Sequence, residues 1–181
     1  PWVLVTINLT AYVGQSINIR FSGNTGNDYR SDMAIDDVSL TAVTTPLPEI
    51  NITGNSTTIN SGDNPPSTTD DTDFGSINVA SGSNTNMFII NNDGTLPLSL
   101  TGGLPYVSIT GPNASDFTLA SIPTTPIAAG SNTTFSITFD PSSNGLRSAI
   151  ITIANDDSNE NPYTFYVQGY GNTPLSEGPG G

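Results

Sequence analysis

The segment Thr133–Gly169, TTFSITFDPSSNGLRSAIITIANDDSNENPYTFYVQG, decides the fold. It holds three runs in which apolar side chains recur at every second position. Phe135, Ile137 and Phe139 form the first. Ala149, Ile151 and Ile153 alternate with Ile150 and Thr152 in the second, and Tyr163, Phe165 and Val167 form the third. Two segments of turn-forming residues separate them, Asp140–Gly145 and Asn155–Pro162. Period-two alternation puts one set of side chains on one face of a strand, so the segment predicts an antiparallel meander closing a β-sandwich. Phe135, Phe139, Ile151 and Phe165 are assigned to its core.

Working outward, the same pattern runs back to Glu49. Ile50 and Ile52 mark one short strand and Thr57–Asn60 another. Further strands are predicted over 74–79, 87–90, 96–100, 106–110 and 117–120. Phe88 and Ile90, Leu98 and Leu100, and Val107 and Ile109 are the expected inward pairs. Burial at roughly 25 cal/mol per Å² of apolar surface can support one sandwich with this many large apolar residues. Gly, Pro and Asn punctuate the strands, and no helical periodicity of useful length appears, so the chain is all-β.

Composition limits the chemistry. Sixteen acids oppose three arginines, Arg20, Arg30 and Arg147, in 181 residues, for a net charge of −13. Such a chain repels phosphate backbones and anionic lipid, and attracts cations, Ca²⁺ above all. No nucleic-acid partner and no direct membrane insertion are expected, and no apolar run reaches the length of a membrane span. There is no Cys, His or Lys. Disulfides, thiolate zinc sites, cysteine nucleophiles, imidazole bases and Schiff-base lysines are therefore excluded. Ser and Thr abound but have no ordinary base to activate them, and no motif places two carboxylates in a cleft. The chain is expected not to be an enzyme.

The first 43 residues alternate over Val3, Val5, Ile7 and Leu9 and again over Ile17, Ile19 and Phe21, with a further strand from Met33 to Leu40. Three strands with one apolar face need something to pack on. Trp2, the Leu9-x-x-Tyr12-x-Gly14-Gln15 segment, Ile17-x-Ile19-Arg20-Phe21 and Ala34-Ile35-Asp36-Asp37-Val38 resemble the C-terminal part of a MAM-like jelly-roll domain of secreted Bacteroidota proteins. Residues 44–48, TTPLP, read as a short stiff linker.

Residues 49–171 resemble a Hydin-type immunoglobulin-like domain of the choice-of-anchor D kind. The matching blocks include Asp73-Phe74-Gly75-Ser76-Ile77, Phe88–Gly94, Ala114-Ser115-Asp116-Phe117, Phe139-Asp140-Pro141, Ile151–Asp157 and Val167-Gln168-Gly169. Residues 172–181 have the composition of a linker or disordered tail. The resemblance implies a partial jelly roll followed by an immunoglobulin-like sandwich. It also implies export by a type IX system to the outer cell surface or the extracellular space.

Three acidic groups are candidate Ca²⁺ ligands, because hard cations take carboxylate and carbonyl oxygens. They are Asp32, Asp36 and Asp37; Asp70, Asp71 and Asp73; and Asp156, Asp157 and Glu160. In an immunoglobulin-like sandwich the start of the first strand and the loop before the last lie at one end, so the second and third groups are expected to share an ion. The bland reading is that their side chains make local turns to backbone. Arg147 is expected to pair with Asp140. Tyr29, in a Gly/Asn-rich loop, is the best placed aromatic for stacking on a sugar, whereas Trp2 is assigned to a core.

The function expected is that of a non-catalytic structural or adhesive module, in a repeating or fibre-forming extracellular protein. Its partners would be other domains of the same polypeptide or neighbouring subunits. A carbohydrate-binding accessory region of a secreted hydrolase, with glycans as partners, is the alternative.

Overall fold

The computed structural model describes residues 4–12, 16–22, 38–39 and 46–173. The chain divides into two units, Pro1–Thr45 and Pro46–Gly181, and the division falls within the TTPLP segment.

Among the described residues of the first unit there is a one-turn 3₁₀ helix, Thr10–Tyr12, and no strand. The expected strands over 3–9 and 17–21 have no ladder partner there. Leu4, Val5, Ile7, Ile19 and Phe21 are exposed. Alternation supplies a strand's side chains but not the neighbouring backbone that a ladder requires.

The second unit is an all-β, immunoglobulin-like sandwich of nine strands among its described residues. They are β1 (Ile50–Gly54), β2 (Thr57–Ile59), β3 (Asp73–Asn78), β4 (Asn84–Asn92), β5 (Ser108–Thr110), β6 (Phe117–Ser121), β7 (Asn132–Phe139), β8 (Gly145–Ile153) and β9 (Tyr163–Asn172). One sheet has the order β2-β1-β4-β7-β6 and the other β3-β9-β8-β5. Every pairing between these strands is antiparallel except that of β3 with β9, which is parallel. The long segment from Asn60 to Thr72 carries the chain from the first sheet to the second.

The expected meander is corrected here. β8 and β9 do form an antiparallel hairpin, with Ile151 opposite Phe165. β7, however, lies in the other sheet, between β4 and β6. Asp140–Asn144 is thus a corner between sheets, and alternation alone cannot tell such a corner from a hairpin turn. The corner is packed tightly. A Cβ on Gly169 would lie 2.3 Å from the Phe139 ring, so only glycine lets β9 pass there.

The inward faces match the alternation. Phe88, Ile90, Leu98, Phe135, Phe139, Ile151 and Phe165 are fully buried. Phe88 and Phe135 stack at 5.4 Å between centroids, and Phe117 and Phe139 at 4.8 Å. Ile109 is only partly buried because β5 is a three-residue edge strand. The predicted strand 96–100 makes two separate bridges instead of a ladder, Leu98 to Ile127 and Leu100 to Asn155. Asn92 organises this passage. Its amide donates to the carbonyls of Leu96 and Ile127, and its Oδ1 accepts from the N–H groups of Glu49 and Gly94.

Candidate functional site

The loop from Asn155 to Pro162 is held by its own amides. Asn155 Nδ2 donates to the carbonyls of Ile153 and Glu160, and its Oδ1 accepts from the Asp157 N–H at 2.8 Å. That turn drives Asp157 inward to 1% exposure. Asp157 Oδ2 accepts from the N–H of Ile50, 107 residues away, at 3.0 Å, and its Oδ1 accepts from Asn159 N–H. The loop therefore caps the start of β1. Glu49, just before Ile50, and Glu160 complete a group with Asp157 in which one carboxylate oxygen from each lies within 4.8 Å of the others.

Burial first, then the charges of Asp157 and Glu49, push the Glu160 carboxyl above its usual range. Nearby, the Tyr163 hydroxyl donates to the Ile59 carbonyl, and burial followed by the Glu160 charge raises its pKa to about 12.

Asp70, Asp71 and Asp73 are elsewhere. Asp70 Oδ1 accepts from the N–H and hydroxyl of Thr72. Its carbonyl packs where a Cβ on Gly54 would sit, at 2.0 Å. Gly54 ends β1 and Ile50 starts it, so Asp70 and Asp157 lie about 13 Å apart along that strand. The expected sharing of one ion between these two groups is not what the fold builds. Asp71 has a left-handed φ of 62°. Asp73 accepts from Gly75 N–H and from Gln168 Nε2 on β9. Asp156 accepts from Ser99 N–H at 2.7 Å. Asp32, Asp36, Asp37 and Tyr29 lie outside the described residues.

The loop before β9 does meet the start of a first strand, but that strand is β1, and the acid beside it is Glu49. A carboxylate directly before the first alternating run was the available signal.

Arg147 is a second correction. It bonds Asp116, not Asp140, through Nε to Oδ2 at 2.5 Å, and Asp116 is 2% exposed. Asp140 instead donates its backbone N–H to the Asp116 carbonyl. Burial alone would raise the Asp116 pKa. The bonds from Arg147 and Ser142, with the guanidinium charge, overrule it and leave the carboxyl below its usual range.

Among the described residues no buried side-chain nitrogen or oxygen lacks a partner. The buried carboxylates hold backbone, a Thr or an arginine. Asp157, 1% exposed, is tied to two N–H groups. Glu49, Asp157 and Glu160 offer the oxygens a hard cation takes, and these lie no farther apart, within 4.8 Å, than ligands around one Ca²⁺ at 2.3–2.6 Å can.

No family model matches the chain, and no curated protein matches it. Among solved structures it is similar to a protein of unknown function from Porphyromonas gingivalis W83, at 20% identity and a TM-score of 0.46. That match covers 73% of this chain and 50% of the other. It is also similar to PapD-like domain 7 of human CEP192, at 15% identity and a TM-score of 0.42, covering 78% and 96%. A third is the Vibrio cholerae protease VesB, at 15% identity and a TM-score of 0.38, covering 56% and 31%. The chain thus spans half the length of the Porphyromonas protein. The class stated here, a β-sandwich module, rests on the strand ladders themselves.

Proposed function

We propose that the chain is a non-catalytic structural and adhesive module of a secreted or cell-surface bacterial protein, joined in series to other domains or to neighbouring subunits. The observation that supports this is how the polar groups of the sandwich are used. Asp70, Asp116 and Asp157 are all nearly buried, and each is bonded to a backbone N–H, a hydroxyl or a guanidinium. Catalytic carboxylates must instead reach a substrate. The absence of His, Lys and Cys from the sequence points the same way. The resemblances to MAM-like and Hydin-type domains supply the extracellular setting and the type IX route. Ca²⁺ belongs to this reading as a structural ion, with Glu49, Asp157 and Glu160 as its carboxylates.

Antibody against the chain, applied to unpermeabilised source cells and to their culture supernatant, tests the location. Label is expected in one or both. Label seen only after permeabilisation overturns the reading. In the same preparation the chain is expected to turn over no chromogenic ester, glycoside or peptide above buffer. Turnover lost on a single carboxylate substitution would show an enzyme instead.

A further inference from the structure

The outer faces of the two sheets differ. On the five-stranded sheet the outward positions of β4 and β7 are Thr, Ser and Asn apart from Met87 and Ile89, which face Ser136 and Thr134, and the hydroxyls of Thr85 and Thr138 are bonded across the strands at 2.7 Å. On the four-stranded sheet the outward positions of β8 and β9 bring apolar and aromatic groups together. Leu146 stands opposite Tyr170, and Ile150 opposite Tyr166. Leu146, Tyr170 and Tyr166 are 60%, 51% and 37% exposed. Between these two pairs Ser148 faces Gln168. No outward residue of β8 or β9 is charged. The carboxylate beside them, Asp73 on β3, is held by Gln168 at 2.7 Å.

Directly opposed side chains on a sheet face lie about 5 Å apart, and Tyr166 and Tyr170 are separated by about 13 Å along β9. The surface is thus a firm strip of two rings and two aliphatic groups, with hydroxyl and amide groups between them. At the far end of β8 a cavity of about 270 Å³ opens among Pro105, Tyr106, Ser108 and Thr152. Thr152 occupies an outward position of the same strand, next in line after Ile150. Tyr106 is held there at a left-handed φ of 69°, a conformation rare for an aromatic residue.

Charge selects the occupant. A chain of net charge −13 repels a second copy of itself and any anionic partner. A cationic partner finds no free carboxylate among the outward residues of β8 and β9. An uncharged ligand with apolar faces and many hydroxyls suits exposed tyrosine, since the ring is an apolar platform with a polar tip and little rotamer entropy to lose. We propose that this face, from Leu146 and Tyr170 to the Tyr106 cavity, binds a neutral polysaccharide along β8 and β9. Rings of the glycan stack on Tyr166 and Tyr170, and Ser148 and Gln168 bond its hydroxyls.

The inference goes beyond the structural role and does not depend on it. The test is affinity electrophoresis of the full chain in gels containing hydroxyethyl cellulose, laminarin or galactomannan, with alginate and pectate as anionic counterparts. Retardation is expected in at least one neutral gel and in neither anionic one. Replacing both rings, as Tyr166→Ala with Tyr170→Ala, is expected to weaken it at least tenfold. The pair Tyr166→Thr with Tyr170→Thr, which keeps β propensity, serves if the alanine pair fails to fold. No retardation in any neutral gel overturns the proposal. So does retardation that survives loss of both rings, or a dimer in sedimentation that the same substitutions dissolve.

Discussion

Asp116 and Asp157 are both nearly fully buried, at 2% and 1% exposure, and they flank β8 at opposite ends. Asp116 meets Arg147, the one cation of the second unit's sequence, beside the corner between β7 and β8. Asp157 meets backbone N–H groups and two further carboxylates. One end of the sandwich thus neutralises its buried charge, and the other concentrates it. Burial of a carboxylate is tolerated in either setting, but Asp116 at one end and Glu160 at the other respond oppositely to pH. The difference teaches that a buried acid in this chain is first of all a fastener, and that only the uncompensated end has reason to recruit an ion.

The largest effect is expected at the neutralised end. Arg147→Met leaves Asp116 buried without its cation, and breaking a buried pair in this way costs about 3–5 kcal/mol. Urea unfolding at neutral pH measures it. Adding Asp116→Leu to that variant is expected to restore most of the loss, since both charges are then gone. A single variant as stable as the parent would mean that Arg147 does not hold this corner. The Asp116 pKa is lowered on folding, so its contribution is fully present above the ordinary carboxylate pKa of 3.8. It is lost as pH falls through the lower native value.

Asp157→Ala is next. It leaves the Ile50 N–H without its acceptor, a loss of about 1–3 kcal/mol, but it also removes one of three crowded carboxylates. The net loss is therefore expected to be smaller than for Arg147→Met. Asp157→Asn keeps an acceptor and sheds the charge, and is expected to stay near the parent in melting temperature. An asparagine variant as damaged as the alanine would show that the charge, not the cap, matters.

Much of this was legible in the residues. Alternation placed Phe88, Phe135, Ile151 and Phe165 inside, because one face of each strand is buried whatever its partner. It does not say which sheet a strand joins, so a corner between sheets such as Asp140–Asn144 reads the same in sequence as a meander turn. The acidic loop 155–162 stands out in the sequence as a cluster of carboxylates. Its companion was missed, because Glu49 belongs to it through the Ile50–Asp157 bond, and that bond joins positions 107 apart. Arg147 was matched to the nearer acid in sequence for the same reason. Asp116 reaches it only because the one-turn helix Ala114–Asp116 lies against β8.

The smallest effect, and the one that most sharpens the contrast, is at Glu160. Its carboxyl is pushed up by burial, then by Asp157 and Glu49, so the native state holds a proton that the unfolded chain has released. Between the unfolded value near 4.5 and the higher native value, the unfolded chain binds fewer protons than the native one. Stability then falls as pH rises through that window and levels off above it. This is the reverse of Asp116. Glu160→Gln removes the charge and keeps the shape, and is expected to raise stability at neutral pH by less than about 1 kcal/mol. The fall across the window should vanish with it. Ca²⁺ is expected to raise the melting temperature of the parent and to do so less for the glutamine variant. A calorimetric titration with no heat, together with an unchanged melt, would leave the three carboxylates as a cap with repulsion and remove the ion from the account.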